Sequence, residues 1–190
     1  MGYFERDKTL NWEPEEALTH FLQQHEKIVF ISFGSMTNAK PAVITKAIVE
    51  VLEKHKIPAI LNTSWGGLEK TATTADHLLF VQDLPYDWIF PRVYAAVHHG
   101  GSGTTHSALK YGCPALIIPH IVDQPYWSKT LSDLQLGPKG IPIKKLNANR
   151  FEKGILELRN NAVYRTNAAA VAAQMKAESD PETLVNSILS

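Results

Sequence analysis

His98-His99-Gly100-Gly101-Ser102-Gly103-Thr104-Thr105 is the stretch on which the reading of this chain turns. The apolar run 94–98 before it predicts a strand, and the pattern over 102–111 predicts a helix, so it is a strand-to-helix turn. Its glycines let a backbone come close to a ligand and take turns that a Cβ resists. A helix that begins there presents free N–H groups and a partial positive charge, which suits a phosphate. Ser102, Thr104 and Thr105 add hydroxyl donors, and a His at the strand end can donate to a phosphate oxygen or, if protonated, add charge. The glycine spacing is not that of the dinucleotide fingerprint, and no Gly-Lys-Ser/Thr follows as in a nucleotide-triphosphate loop. Read alone, the stretch also fits a tight turn with Ser102 as a cap and no ligand.

The same alternation extends both ways. Strands are predicted at 27–33, 58–62, 78–81, 94–98 and 115–118. Helices are predicted at 41–56, 102–111 and 124–134, with a short one within 15–24. Residues 147–190 read as C-terminal helices, Ala-rich around 168–173, with Asp180-Pro181 opening a last short one. Residues 1–26 read as a linker and short helix leading into a single domain spanning 1–190. Strands that alternate with helices imply a Rossmann-like α/β domain, a parallel sheet flanked by helices. Open sheets of that kind bind ligands beyond the carboxyl ends of their strands. Two more loops there carry chemistry. In Pro119-His120-Ile121-Val122-Asp123-Gln124-Pro125, a carboxylate beside a carboxamide suits vicinal sugar hydroxyls, though Asp123 also fits a plain helix cap. In Ser32-Phe33-Gly34-Ser35-Met36-Thr37, Gly34 and Ser35 can face a diphosphate from the other side.

Other residues invite a structural reading. Asn62-Thr63-Ser64-Trp65-Gly66-Gly67 reads as an exposed loop, Trp88 as core, and Cys113 as packed rather than nucleophilic. His20, His25, His55, His77 and His106 share no metal-ligand spacing. The 190 residues suit one ordinary domain, 44 % hydrophobic, and 19 basic against 19 acidic residues give zero net charge. That balance gives no support for a general nucleic-acid surface. One cysteine excludes an intramolecular disulfide. No apolar run nears the roughly 18 residues of a membrane span, and Met1-Gly2-Tyr3-Phe4-Glu5-Arg6-Asp7 has no signal-peptide core. A cytoplasmic location is expected, with peripheral membrane attachment left open.

Together, 98–105, Gly112-Cys113-Pro114 and Asp123-Gln124 resemble the donor-binding signature of UDP-glycosyltransferases of the GT-B fold. The flavour is similar to the bacterial and fungal branch of sterol glucosyltransferases and antibiotic glycosyltransferases. As in the plant signature, an Asp-Gln pair begins 24 positions after a His, here His99. Ile31-Ser32-Phe33-Gly34-Ser35 and Tyr3-Phe4 also resemble that family.

The resemblance implies that the chain is a C-terminal, donor-binding half. His99, Gly100, Gly101, Ser102, Gly103, Thr104, Thr105 and Ser35 would hold the donor phosphates, and Asp123 and Gln124 the sugar. Where the plant branch stacks a Trp on uracil this chain has Val81, and where it has a Glu on the ribose this chain has Ser107. Backbone around Val81, Gln82 and Asp83 is the expected substitute for reading the base. The implied reaction is inverting transfer of a hexose, glucose by preference, from a UDP-sugar to a hydroxyl acceptor such as a sterol, lipid or phenolic compound. No cofactor or metal is expected. The catalytic base would lie on an N-terminal acceptor domain, in the same chain or a partner, so no catalytic residue is expected here. Half of a nucleotide-sugar epimerase, or a non-catalytic donor-binding subunit, are the alternatives.

Overall fold

Val29–Ser32 forms strand β1, and every one of its residues is buried. Its β-branched and aromatic content and its lack of polar alternation suit a strand covered on both faces. The computed structural model describes residues 12–121 and 123–178. Among them, β1 is joined by β2 (Ala59–Asn62), β3 (Leu78–Val81), β4 (Ala95–His98) and β5 (Ala115–Ile117) in one sheet, ordered β3-β2-β1-β4-β5. All four pairings are parallel. The helices are α1 (Glu16–Gln24), α2 (Pro41–Lys54), α3 (Tyr86–Ile89), α4 (Ser102–Lys110), α5 (Gln124–Asp133), α6 (Ala148–Asn160) and α7 (Ala162–Glu178).

Alternating strand residues divide the core in two. Val29, Ile31, Leu61, Val97 and Leu116 pack with Ile48 and Leu52 of α2 and with Phe151 and Ile155 of α6. Phe30, Ile60, Ala96 and Ile117 pack with Leu18 and Phe21 of α1, Ala108 of α4, Leu131 of α5 and Ala168 of α7. At about 25 cal/mol per Å² of buried apolar surface, these two layers dominate the stabilisation. The predicted elements that fall within the described residues are present, with shifted ends. The expected strand 27–33 is shortened at its start, because Lys27 takes a left-handed backbone with φ of 49°. The helical C-terminal stretch is interrupted at Asn161, whose side chain accepts the Val163 N–H at 3.1 Å and starts α7 anew. The helix expected at Asp180-Pro181 lies outside the described residues.

Two sequence expectations for packing agree with the structure and one does not. Cys113 is fully buried, and burial pushes its thiol up to about 12. Trp88 packs against the α1/α4 layer while half-buried, with the Arg92 guanidinium 4.3 Å over its ring. The stretch 62–67, expected as an exposed loop, instead starts at buried Asn62 and runs through a 3-10 turn at Ser64–Gly66 to buried Gly67. Gly67 is pinned because a Cβ there would lie 2.7 Å from the Met36 carbonyl oxygen. No helix among the described residues is long and apolar enough to cross a membrane.

The strand order places the functional question. The chain runs outward from β1 to β3 on one side, then returns to β4 and β5 on the other. The order therefore reverses between β1 and β4, where ligands of open parallel sheets bind outside the carboxyl ends. Ser32-Phe33-Gly34 and His98-His99-Gly100 are the loops that leave those two ends.

Candidate functional site

His98 and His99 follow one another at the end of β4 and part company. His98 is 1 % exposed, and its Nδ1 accepts the Gly100 N–H at 3.1 Å. His99 turns toward the β1 loop and fills space that two glycines leave. A Cβ on Gly34 would lie 2.8 Å from its Cε1, and one on Gly101 would lie 2.4 Å from its Nε2. Both rings are held neutral. Burial, then the neighbouring His99, push His98 down to about 3. Burial and His120 push His99 down to about 4, against the pull of the Asp123 carboxylate. A neutral imidazole still donates one N–H to an anion.

Gly100, with φ of 87°, makes the turn, and its missing side chain leaves room for Ile117, whose Cγ2 would sit 2.5 Å from a Cβ. Gly101 is the N-cap of α4 and supplies no side-chain cap. The N–H groups of Ser102, Gly103 and Thr104 belong to the first turn, which has no intrahelical acceptor for them. Ser102 and Gly103 are exposed. Thr105 is different: it is fully buried, and its hydroxyl donates to the Gly101 carbonyl at 2.9 Å. It braces the turn from inside.

The loops enclose a cleft of about 400 Å³, lined by Ser32, Gly34 and Ser35 after β1, Asn62 and Ser64 after β2, Asp83, Tyr86 and Asp87 after β3, and His99 and Thr104 after β4. Ser35, His99 and Thr104 were expected there. Asp83 belongs to the stretch expected to read the base, while Asn62, Ser64, Tyr86 and Asp87 are lining residues that no sequence motif marks. Asn62 Oδ1 accepts the Ser64 N–H at 3.0 Å and also its hydroxyl. Tyr86 shares a hydrogen bond of 3.0 Å with the Ser32 hydroxyl, and burial pushes its phenol up. Asp87 Oδ1 accepts from the Ser107 hydroxyl at 3.2 Å. The usable signal was position: a polar residue closing an apolar strand, Asn62, marks a carboxyl end as surely as the His pair does. Val81 and Gln82 stand apart from this lining. The Val81 carbonyl accepts the Thr63 N–H at 3.0 Å, and the chain rejoins the lining two residues later at Asp83.

Asp123 and Gln124 start α5 beside His99. Asp123 is exposed at the N-cap position, yet its side chain makes no capping bond. Gln124 is 3 % exposed; its Oε1 accepts the N–H groups of His120 at 2.7 Å and Ile121 at 3.1 Å, while its Nε2 points at the Met36 sulfur. The carboxamide thus shapes its own loop and keeps donor capacity. His120 donates through Nδ1 to the Ile118 carbonyl at 2.8 Å if protonated there, which leaves Nε2 as an acceptor.

The model of the erythromycin biosynthesis protein CIII-like C-terminal domain matches residues 39–190. A sterol 3-beta-glucosyltransferase of Arabidopsis thaliana is 35 % identical over 178 residues, covering 94 % of this chain and 28 % of its own length. One of Pichia angusta is 33 % identical over 196 residues, covering 98 % of this chain and 16 % of its own length. The chain thus spans under a third of these relatives. Among solved structures, a UDP-glucose: anthocyanidin 3-O-glucosyltransferase in complex with UDP superposes with a TM-score of 0.75 at 19 % identity, over 90 % of this chain and 41 % of that one. The glycotransferase of kitacinnamycin superposes at 0.73 and 19 %, over 93 % and 44 %. At such identities these two likenesses show the fold.

Proposed function

The chain belongs to the family of erythromycin biosynthesis protein CIII-like C-terminal domains, and on that premise we propose that it is the donor-binding half of an inverting glycosyltransferase using a UDP-sugar. The observation that carries this is Thr104, in the uncapped first turn of α4, lining the same cleft as the His99 imidazole at the switch point of the sheet. An uncapped helix start and a fixed neutral donor suit a diphosphate. The N–H groups of Ser102, Gly103 and Thr104, the hydroxyls of Ser102, Thr104 and Ser35, and His99 surround the negative charge that grows on departing UDP. Donors arranged in advance lower the barrier because they need no reorganisation as the bond breaks. Gly100 and Gly101 shape that loop, and Thr105 supports it through Gly101.

Asp123 accepts from sugar hydroxyls, and Gln124 donates through Nε2. The wall from Asp83 to Asp87 faces the nucleoside. Asp87, oriented by Ser107, accepts from the ribose hydroxyls, which answers the absence of an acidic side chain at Ser107 itself. Backbone beyond Val81 and Gln82, at Asp83 and Leu84, reads the base. The names of the relatives support glucose as the sugar and a sterol or similar lipid hydroxyl as acceptor. The group that deprotonates the acceptor belongs to an acceptor-binding half, in the same chain or a partner.

Calorimetry on the 190-residue chain tests the reading. UDP binds with a Kd of roughly 10 μM to 1 mM, modest because one half alone forms the site. His99→Ala weakens UDP by about 1–3 kcal/mol and uridine far less, since the bond lost is to phosphate. No heat at millimolar UDP, or equal weakening of both ligands, contradicts it.

A further inference from the structure

Three strands of this sheet end in the same way. Asn62, Ser32 and His98 are the last residues of β2, β1 and β4, and they lie opposite one another in register. Side chains in one such row point to one face. Each then captures the backbone N–H two residues on. Asn62 Oδ1 accepts from Ser64 at 3.0 Å, Ser32 Oγ from Gly34 at 3.3 Å, and His98 Nδ1 from Gly100 at 3.1 Å. For Asn and Ser this is the familiar side-chain mimic of a backbone turn. His98 builds the same ring, because Nδ1 is the same number of bonds from Cα as the Oδ1 of Asn.

We propose that His98 is a positioning residue for anion binding: as the uncharged Nε2–H tautomer it fixes the Gly100 amide and so aims the first turn of α4 into the cleft, without touching the ligand. The inference rests on the proposed donor site. Nδ1 must be bare to accept, so the proton sits on Nε2, an atom that is buried and has no hydrogen-bond partner among the described residues. A buried N–H without a partner costs stability, so the acceptor side of the ring carries the return. The turn it holds has little slack. Gly100 is at φ of 87° against Ile117, and Gly101 lies against the His99 ring. His98 is 1 % exposed and His99 lines the cleft, so the adjacent pair divides the work: one ring sets the turn, the other meets the ligand.

Two variants and one spectrum test this. His98→Leu keeps the bulk and removes the acceptor; His98→Asn keeps the acceptor at the same reach. Calorimetry is expected to show His98→Leu losing about tenfold or more in UDP affinity, with uridine changed less than about threefold, and His98→Asn within about threefold of wild type for both. A side chain that merely supported the fold would weaken both ligands together and would not be rescued by Asn. Nitrogen-15 histidine spectra of the unaltered chain are expected to place the His98 proton on Nε2, and this reading survives even if His98→Leu fails to fold. A proton on Nδ1, equal loss of UDP and uridine in His98→Leu, or no rescue by Asn overturns the proposal. If the unaltered chain binds no UDP while the proton is on Nε2, the donor-site reading fails and the turn stands.

Discussion

Gly100 and Gly103 sit three residues apart in one loop, and the structure gives them opposite physical reasons to be glycine. At Gly100 the backbone is left-handed, and an added Cβ would meet Ile117 at 2.5 Å. Gly100→Ala therefore costs stability, by about 1–3 kcal/mol for the strained backbone alone. At Gly103 a Cβ would meet no atom of the described residues within 4 Å. Gly103→Ala improves helix propensity by up to about 1 kcal/mol, so the fold is unharmed or gains. Its methyl would project from the exposed first turn of α4, where the proposed diphosphate lies. The expected outcome is a split: Gly100→Ala lowers the melting temperature, while Gly103→Ala leaves it level or higher and weakens UDP. Thermal denaturation with and without UDP reads both. A Gly103→Ala chain that binds UDP like the parent would remove this turn from the site.

At the scale of elements, the two helix starts that matter are built differently. In α6, Asn147 accepts the Arg150 N–H at 3.0 Å, a cap that serves stability alone. Asn147→Ala is expected to cost about 1 kcal/mol in denaturant unfolding and leave UDP affinity unchanged. In α4 the cap position is Gly101, and any side chain there would run into His99. No side chain caps that helix start. Most of this architecture was legible: strand and helix positions followed from apolar runs and 3.6-residue spacing, and the His-Gly loop from its composition. What escaped were consequences of register. Nothing local in Asn62-Thr63-Ser64 says that β2 neighbours β1, so the loop looked exposed and is a cleft wall. Tyr86 and Asp87 reach the cleft only because α3 packs beside α4, a contact between segments with no sequence mark. Thr105 and Gln124 also engage their own backbone, through a hydroxyl that donates to Gly101 and an Oε1 that accepts from His120 and Ile121, contacts that composition alone does not reveal.

The whole molecule carries its carboxyl-end chemistry as buried neutral imidazoles, and this couples the site to global stability. His98 is held down to about 3 and His99 to about 4, each chiefly by burial, against an ordinary value near 6.5. Burial also lowers His120. The folded chain therefore resists protons that the unfolded chain accepts. Their contribution is fully present above about pH 6.5, falls progressively below it, and is exhausted once pH passes about 4 for His99 and about 3 for His98. The loss is at most about 1.4 kcal/mol per pH unit per group, because that is the free energy of one proton's differential binding over one unit. The cleanest window is pH 6.5 to 5, where these rings differ between states and ordinary carboxylates are still ionised in both. For a chain of this size about 1 kcal/mol moves the midpoint by roughly 2–4 °C. Melting temperature should be flat from pH 8 to 7 and then drop by several degrees toward pH 5. In His98→Asn one titrating ring is gone, so the drop should be shallower, even though Asn keeps the Gly100 turn. Circular-dichroism melts at half-unit pH steps decide it. A flat profile down to pH 5, or the same slope with and without His98, would mean that these rings are charged or hydrated in the folded chain and do not tie the cleft to the core.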